Sequence, residues 1–200
     1  MALVIESLPL FPLSSVLLPC GRIPLQIFEQ RYLDLVRDSM KSGTPFGVVW
    51  IRRGEEVAQR GSVAADLGDY GTCARIVDWD QLPNGLLGIT IEGAERFELH
   101  ASSTRSNGLV VGEVTLLPRP EPCAVQEAWS PMLDVLASLE THPHVQRMNL
   151  SVDYGDAWSV AYTLVQLLPL EEHVKYELLG LDVIDQLMAE LDLILNQISG

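Results

Sequence analysis

The pattern of apolar and polar positions changes character near residue 120. The first 28 residues read as extended chain. Leu8-Pro9-Leu10-Phe11-Pro12-Leu13 carries two prolines, each biasing its predecessor away from helix. Val16-Leu17-Leu18 and Ile23–Ile27 are short strand candidates separated by a Pro19-Cys20-Gly21 turn, and the prolines place these runs at strand starts or sheet edges. Tyr32, Leu33, Leu35, Val36 and Met40 then recur at helical spacing, with Asp34, Arg37, Asp38 and Lys41 facing water. Gly43 and Pro45 end that helix. Phe46–Ile51 reads as a buried strand and residues 58–71, with three glycines, as a loop. Three further strands follow: Thr72–Trp79, Leu86–Leu99 with a break near Gly93, and Leu109–Leu117, punctuated by turns at 80–85 and 106–108. Several short strands in one compact stretch predict a small barrel or sandwich.

After Pro118, Pro120 and Pro122 the period becomes 3.6. Ala128, Met132, Val135, Leu136 and Leu139 form one apolar face, with Pro131 starting or kinking the helix. Trp158, Ala161, Leu164, Val165 and Leu168 form a second, and Val174, Leu178 and Leu179 a third. The last stripe, Val183, Ile184, Leu187, Met188, Leu191, Ile194 and Leu195, is the cleanest, with Asp182 as its expected N-cap. The expected organisation is α+β, with a β-rich part over 1–117 and a helical part over 118–200.

Charge sharpens this division. The net charge is -14. Residues 1–120 hold 11 basic and 14 acidic side chains, whereas residues 121–200 hold two basic (Arg147, Lys175) and 13 acidic. An acidic surface repels phosphate backbones and anionic lipid heads, so neither nucleic acid nor membrane is an expected partner. Cys20, Cys73 and Cys123 lie far apart with no CxxC pair, which is neither a disulfide framework nor a zinc knuckle. Leu17-Leu18-Pro19-Cys20 superficially suggests a lipoprotein cleavage site. No basic residue precedes it, however, and Glu6, Pro9 and Pro12 interrupt the apolar stretch. No run approaches the roughly 20 apolar residues of a membrane span. The expectation is a cytoplasmic protein.

The search for chemistry yields little. Phosphate-loop, GxGxxG, GxSxG, HExxH and SxxK motifs are missing. His142-Pro143-His144 offers two imidazoles without a third ligand, so no metal site and no cofactor are expected. Glu171-Glu172-His173 reads as the solvated first turn of a helix. Cys20 sits near Arg22, which favours a thiolate, yet no His and carboxylate pair accompanies it. Glu55-Glu56 and Asp78 with Asp80 lie in expected turns as solvated charge. The residues with the best claim to binding are Trp50 and Trp79, which end strands and could line an apolar groove, together with Arg52. Arg52, Arg53 and Arg60 are also the nearest approach to a basic stripe.

Leu8-Pro-Leu-Phe-Pro-Leu-Ser-Ser-Val-Leu-Leu-Pro-Cys-Gly-Arg-Ile-Pro-Leu-Gln-Ile-Phe-Glu-Gln-Arg-Tyr32 resembles the opening of Lon protease N-terminal domains, with Cys20 inserted between Pro19 and Gly21. The order continues through Pro45–Val49, Gly71–Ile76, Gly88–Gly93 and Arg96-Phe97, covering residues 8–117 well and the helices more loosely. The resemblance implies a PUA-like β-barrel with one early helix, followed by a C-terminal helical bundle. It also implies a module that binds polypeptide or a partner protein, as an adaptor or a handler of unfolded chains. Lon proteases carry ATPase and Ser-Lys protease modules elsewhere, and neither is present in these 200 residues. Binding without cleavage is therefore expected, and an ATP-dependent protease label would rest on similarity alone. PUA-like barrels also suggest RNA as an alternative ligand. An apolar groove between barrel and helices would favour peptide, and a basic face would favour RNA. Periodicity does not set the oligomeric state.

Overall fold

A computed structural model describes residues 3–54 and 65–199. Glu55, Glu56 and Arg60 lie outside the described residues. The chain divides into two compact units, Met1–Leu17 with Arg22–Arg119, and Leu18–Gly21 with Pro120–Gly200.

The first unit is built on six strands: β1 (Leu3–Leu13), β2 (Arg22–Ile27), β3 (Phe46–Arg53), β4 (Asp66–Gln81), β5 (Leu87–Thr104) and β6 (Val110–Leu116). They form one sheet in the order β2-β5-β4-β3-β1-β6, and β5 also pairs with β6, so five strands close on themselves while β2 hangs on β5. The α+β class therefore holds, but the expected clean barrel becomes a six-stranded sheet. Strand β1 changes neighbour part-way along, and β5 takes three partners, β4, β2 and β6. Strand β1 pairs antiparallel with β6 as far as Pro9 and parallel with β3 from Leu10. Pro9, which has no N–H to donate, thus sits where the strand changes neighbour. Strand β5 pairs with β2 over its first half and with β6 over its second. The break expected near Gly93 is a register shift in an unbroken strand, where the β4–β5 ladder passes from Thr72 opposite Arg96 to Ala74 opposite Gly93.

Alternation sends neighbouring residues to opposite faces, and both faces are buried. Phe11, Leu13, Val48, Ala74, Ile89 and Ile91 join one cluster, completed by Tyr32, Leu35 and Val36 of helix α1 (Gln30–Ser42). Leu8, Leu10, Val49, Cys73, Phe97 and Val114 form the other. Burial on two sides is why Phe46–Ile51 reads as a nearly continuous apolar run rather than an alternating one. The second cluster centres on Phe97, whose ring lies against glycine. A Cβ on Gly71 would stand 2.2 Å from the Val48 carbonyl oxygen and 2.6 Å from the Phe97 ring.

Helix α1 is keyed by its first turn. Tyr32 stacks on Phe11 at 3.9 Å between centroids, and the Arg31 guanidinium lies 4.5 Å from the Tyr32 centroid. Arg31 pairs with Glu29 at 2.9 Å and donates to the Gly108 carbonyl at 2.8 Å, tying the helix to the β5–β6 turn. Gly43, at φ 69°, ends it by donating to the Ser39 carbonyl.

The second unit contains α2 (Ser130–Glu140), α3 (Pro143–Met148), α4 (Ala157–Leu167), α5 (Glu172–Leu179) and α6 (Ile184–Ser199). Helix α4 is its centre, with every residue from Ala157 to Val165 buried. Asp156 caps α4 by accepting from Trp158 N at 3.2 Å, and the same oxygen accepts from Cys123 N at 3.1 Å. Pro131 sits in the first turn of α2, where its missing N–H costs nothing. Val16–Leu18, expected as a strand, is irregular chain buried through its side chains. Leu18 N donates to Gln166 Oε1 of α4 at 3.2 Å, a bond that an edge strand would have spent elsewhere. The first helical bonds of α6 go to the Val183 carbonyl, from Gln186 N and Leu187 N, one residue past the expected cap Asp182. Helix α3, unexpected from the pattern, is short and is capped by His142, whose Nδ1 accepts from His144 N.

Candidate functional site

Three adjoining depressions lie on the first unit. One, of about 380 Å³, is lined by Ser39, Met40, Gly43 and Thr44 at the end of α1 and by Arg75–Trp79 of β4. The next, of about 270 Å³, shares Asp78 and Trp79 with it and adds Asp80, Leu82, Gly88–Thr90 and Pro24–Gln26 of β2. The third, of about 170 Å³, shares Pro24–Gln26 and continues past Phe28 to Phe11, Leu13 and Tyr32. Shared walls make them one discontinuous groove. The first sits at the low end of the 300–1,000 Å³ typical of a pocket that encloses a small molecule and the other two fall below it, and a string of shallow hollows suits an extended polymer better.

The groove keeps large apolar side chains in water. Trp79 is 60% exposed, Phe28 58%, Met40 46% and Val77 41%. The local fold explains this. Strand β4 shifts register between Ile76 and Asp78, and from Val77 to Gln81 all its residues are exposed although they still pair with β5. Asp78 Oδ1 accepts from Trp79 N at 2.9 Å and Asp80 Oδ1 from Gln81 N at 2.7 Å, which holds the backbone around the tryptophan. Gly88 lets Leu82 lie against the ladder, since a Cβ there would come within 2.9 Å of Leu82 Cδ2. Ser39 Oγ donates to the Thr44 carbonyl at 2.7 Å and fixes the loop after α1.

Of the expected binding residues, only Trp79 lines these depressions. Trp50 is half-buried on β3 opposite Leu13. Arg52 holds Asp69 through two bonds of 3.0 Å, lies 3.6 Å from Asp66 and donates to the Leu67 carbonyl at 2.6 Å. Its charge is thereby matched by carboxylates of its own sheet. Met40, Val77, Phe28 and Leu82 escaped the sequence reading. Met40 was assigned to the buried stripe of α1, and Val77 to a strand interior. The i, i+2 spacing of Val77 and Trp79 between aspartates was the available signal.

The other candidates stay separate. Cys20 forms a turn at φ 63°, with Gly21 N bonded to the Leu18 carbonyl. Cys73 is in the core, where burial pushes its thiol up to about 12. His173 Nδ1 lies 3.2 Å from Glu171 on the exposed start of α5. Among the described residues there is no group of three or more His, Cys, Asp or Glu side chains able to hold a metal ion. No helix among them is long and apolar enough to cross a membrane.

Comparison with known proteins places this fold. The family profile of the ATP-dependent protease La (LON) substrate-binding domain matches residues 7–196. The chain belongs to this family. The Lon N-terminal domain protein of Xanthomonas campestris, a crystal structure, superposes on the Lon domain described here with a TM-score of 0.72. It is 35% identical, over 94% of this chain and 97% of that one. The N-terminal domain of Mycobacterium avium complex Lon protease has the same fold at 17% identity, with a TM-score of 0.61 over 93% and 96% of the two chains. Lon protease 2 of Myxococcus xanthus is 36% identical over 95 residues, which are 47% of this chain and 11% of that protease. Lon protease of Anaeromyxobacter dehalogenans is 34% identical over 93 residues, 46% and 11% of the two. The match thus spans about a tenth of each protease.

Proposed function

We propose that this Lon substrate-binding domain recognises polypeptide through the groove centred on Trp79 and holds it without cutting it, as an adaptor or unfolded-chain binder in the cytoplasm. The observation that carries this reading is the row of exposed Met40, Val77, Trp79 and Phe28 along three connected hollows. Isolated exposed apolar residues are ordinary, but a lined groove of them on a folded surface points to a partner. The family supplies the kind of partner, since its description names substrate binding. The buried thiol of Cys73, held at about 12, stays protonated at neutral pH and offers no nucleophile. The best cation for an RNA contact, Arg52, is already bound to Asp69 and Asp66.

The test uses the full chain and a permanently unfolded, fluorescently labelled polypeptide. Binding is expected, and Trp79→Ala should weaken it by about 2 kcal/mol, the loss typical of a central aromatic anchor. An unchanged affinity in Trp79→Ala, or no binding by the parent chain, would remove the groove from consideration.

A further inference from the structure

We infer that the groove selects basic segments of extended polypeptide, with a Lys or Arg side chain lodged at Asp78-Trp79-Asp80 and apolar neighbours in the flanking hollows. This rests on the polypeptide reading above and adds the chemistry of the occupant. The argument is charge complementarity along the groove. Asp78 and Asp80 both line the middle hollow, both are exposed, and neither has an ion pair among the described residues. Each commits one oxygen to the backbone N–H of the following residue and keeps the other for solvent. The remaining charges that line the groove are already matched. Glu29 pairs with Arg31 at 2.9 Å, and Arg75 lies 4.0 Å from Glu95.

The uncompensated charge is therefore negative, and it brackets the most exposed tryptophan of the groove. An indole face is the best aromatic surface for a cation, and an alkyl stem of Lys or Arg also covers apolar area. The net charge of -14 further draws a basic segment towards the molecule and repels an acidic one.

Three labelled peptides with one apolar core, flanked by lysines, serines or glutamates, decide the matter with the full chain by fluorescence anisotropy. The lysine peptide should bind roughly fivefold tighter than the serine peptide, as two exposed charge pairs allow, and the glutamate peptide more weakly than either. The spread should narrow between 50 and 300 mM salt, since a shorter Debye length screens exposed charges. The double variant Asp78→Asn/Asp80→Asn keeps the oxygens that accept the backbone N–H groups. It should remove most of the spread, chiefly by weakening the lysine peptide. Equal binding of the three peptides overturns the inference and leaves the polypeptide reading standing. An undiminished spread in the double variant also overturns it, because overall charge would then be the cause. If none of the three peptides binds, the polypeptide reading falls and the inference with it.

Discussion

Single atoms set hard limits in the sheet core. At Gly71 a methyl group would meet the Val48 carbonyl oxygen at 2.2 Å, and backbone within a paired strand cannot retreat as a flexible side chain would. Gly71→Ala should therefore destabilise the first unit by about 2–3 kcal/mol, the upper range for overpacking, measurable by urea denaturation. Cys73 provides a pH signature. Its folded-state thiol is raised from 9.0 to about 12, first by burial and then by Glu95. The unfolded chain ionises this thiol at lower pH than the folded one, so the group has no effect below about pH 9. It favours unfolding progressively between 9 and 12. Cys73→Ala should flatten that part of the stability profile, and in the parent chain thiol reagents at pH 8 should label Cys73 only after denaturant is added. Labelling of native Cys73 at the rate of a free thiol would contradict its placement.

At the scale of elements, caps and anchors matter more than propensity. Asp156 stops two orphan donors at once, Trp158 N at the start of α4 and Cys123 N in the preceding segment. Asp156→Ala should cost about 1–2 kcal/mol, and Asp156→Asn much less, because an amide oxygen still accepts. Thermal unfolding followed by circular dichroism at 222 nm reads the difference, and equal effects of the two changes would refute a capping role. Gln166 works similarly from the other end of α4. Its side chain accepts from Leu18 N and leaves no room for a Cβ at Gly21, which would sit 2.3 Å from Oε1. The chain around Cys20, which departs from the family's usual Pro-Gly spacing, is accommodated there by a positive φ of 63° at Cys20 itself.

For the whole molecule, the groove and the core should respond to different changes. Trp79 is largely in water, so Trp79→Ala should leave the unfolding midpoint within about 0.5 kcal/mol of the parent while abolishing most polypeptide binding. A large stability loss would show that the indole is structural. Much of this architecture was legible in the sequence. The strand at Phe46–Ile51, the helix ended by Gly43 and the helical segments after Pro122 all follow from local rules: period, punctuation and the special backbone of Gly and Pro. The family was legible as well, through the Leu8–Tyr32 signature, whose residues make contacts in this fold such as Phe11 on Tyr32 and Arg31 on Glu29. Tertiary structure alone decided which partner each strand took. Periodicity states that a face is buried but not what covers it, so it could not show that β1 changes neighbour at Pro9 or that β5 serves three strands. It also could not show that Met40, Val77 and Trp79 stay exposed. By itself, then, the sequence determined the family and most of the elements, but not α3 or the irregular chain at Val16–Leu18. Only packing, which depends on residues distant in the chain, determined that an apolar stripe ends as an open groove beside two aspartates.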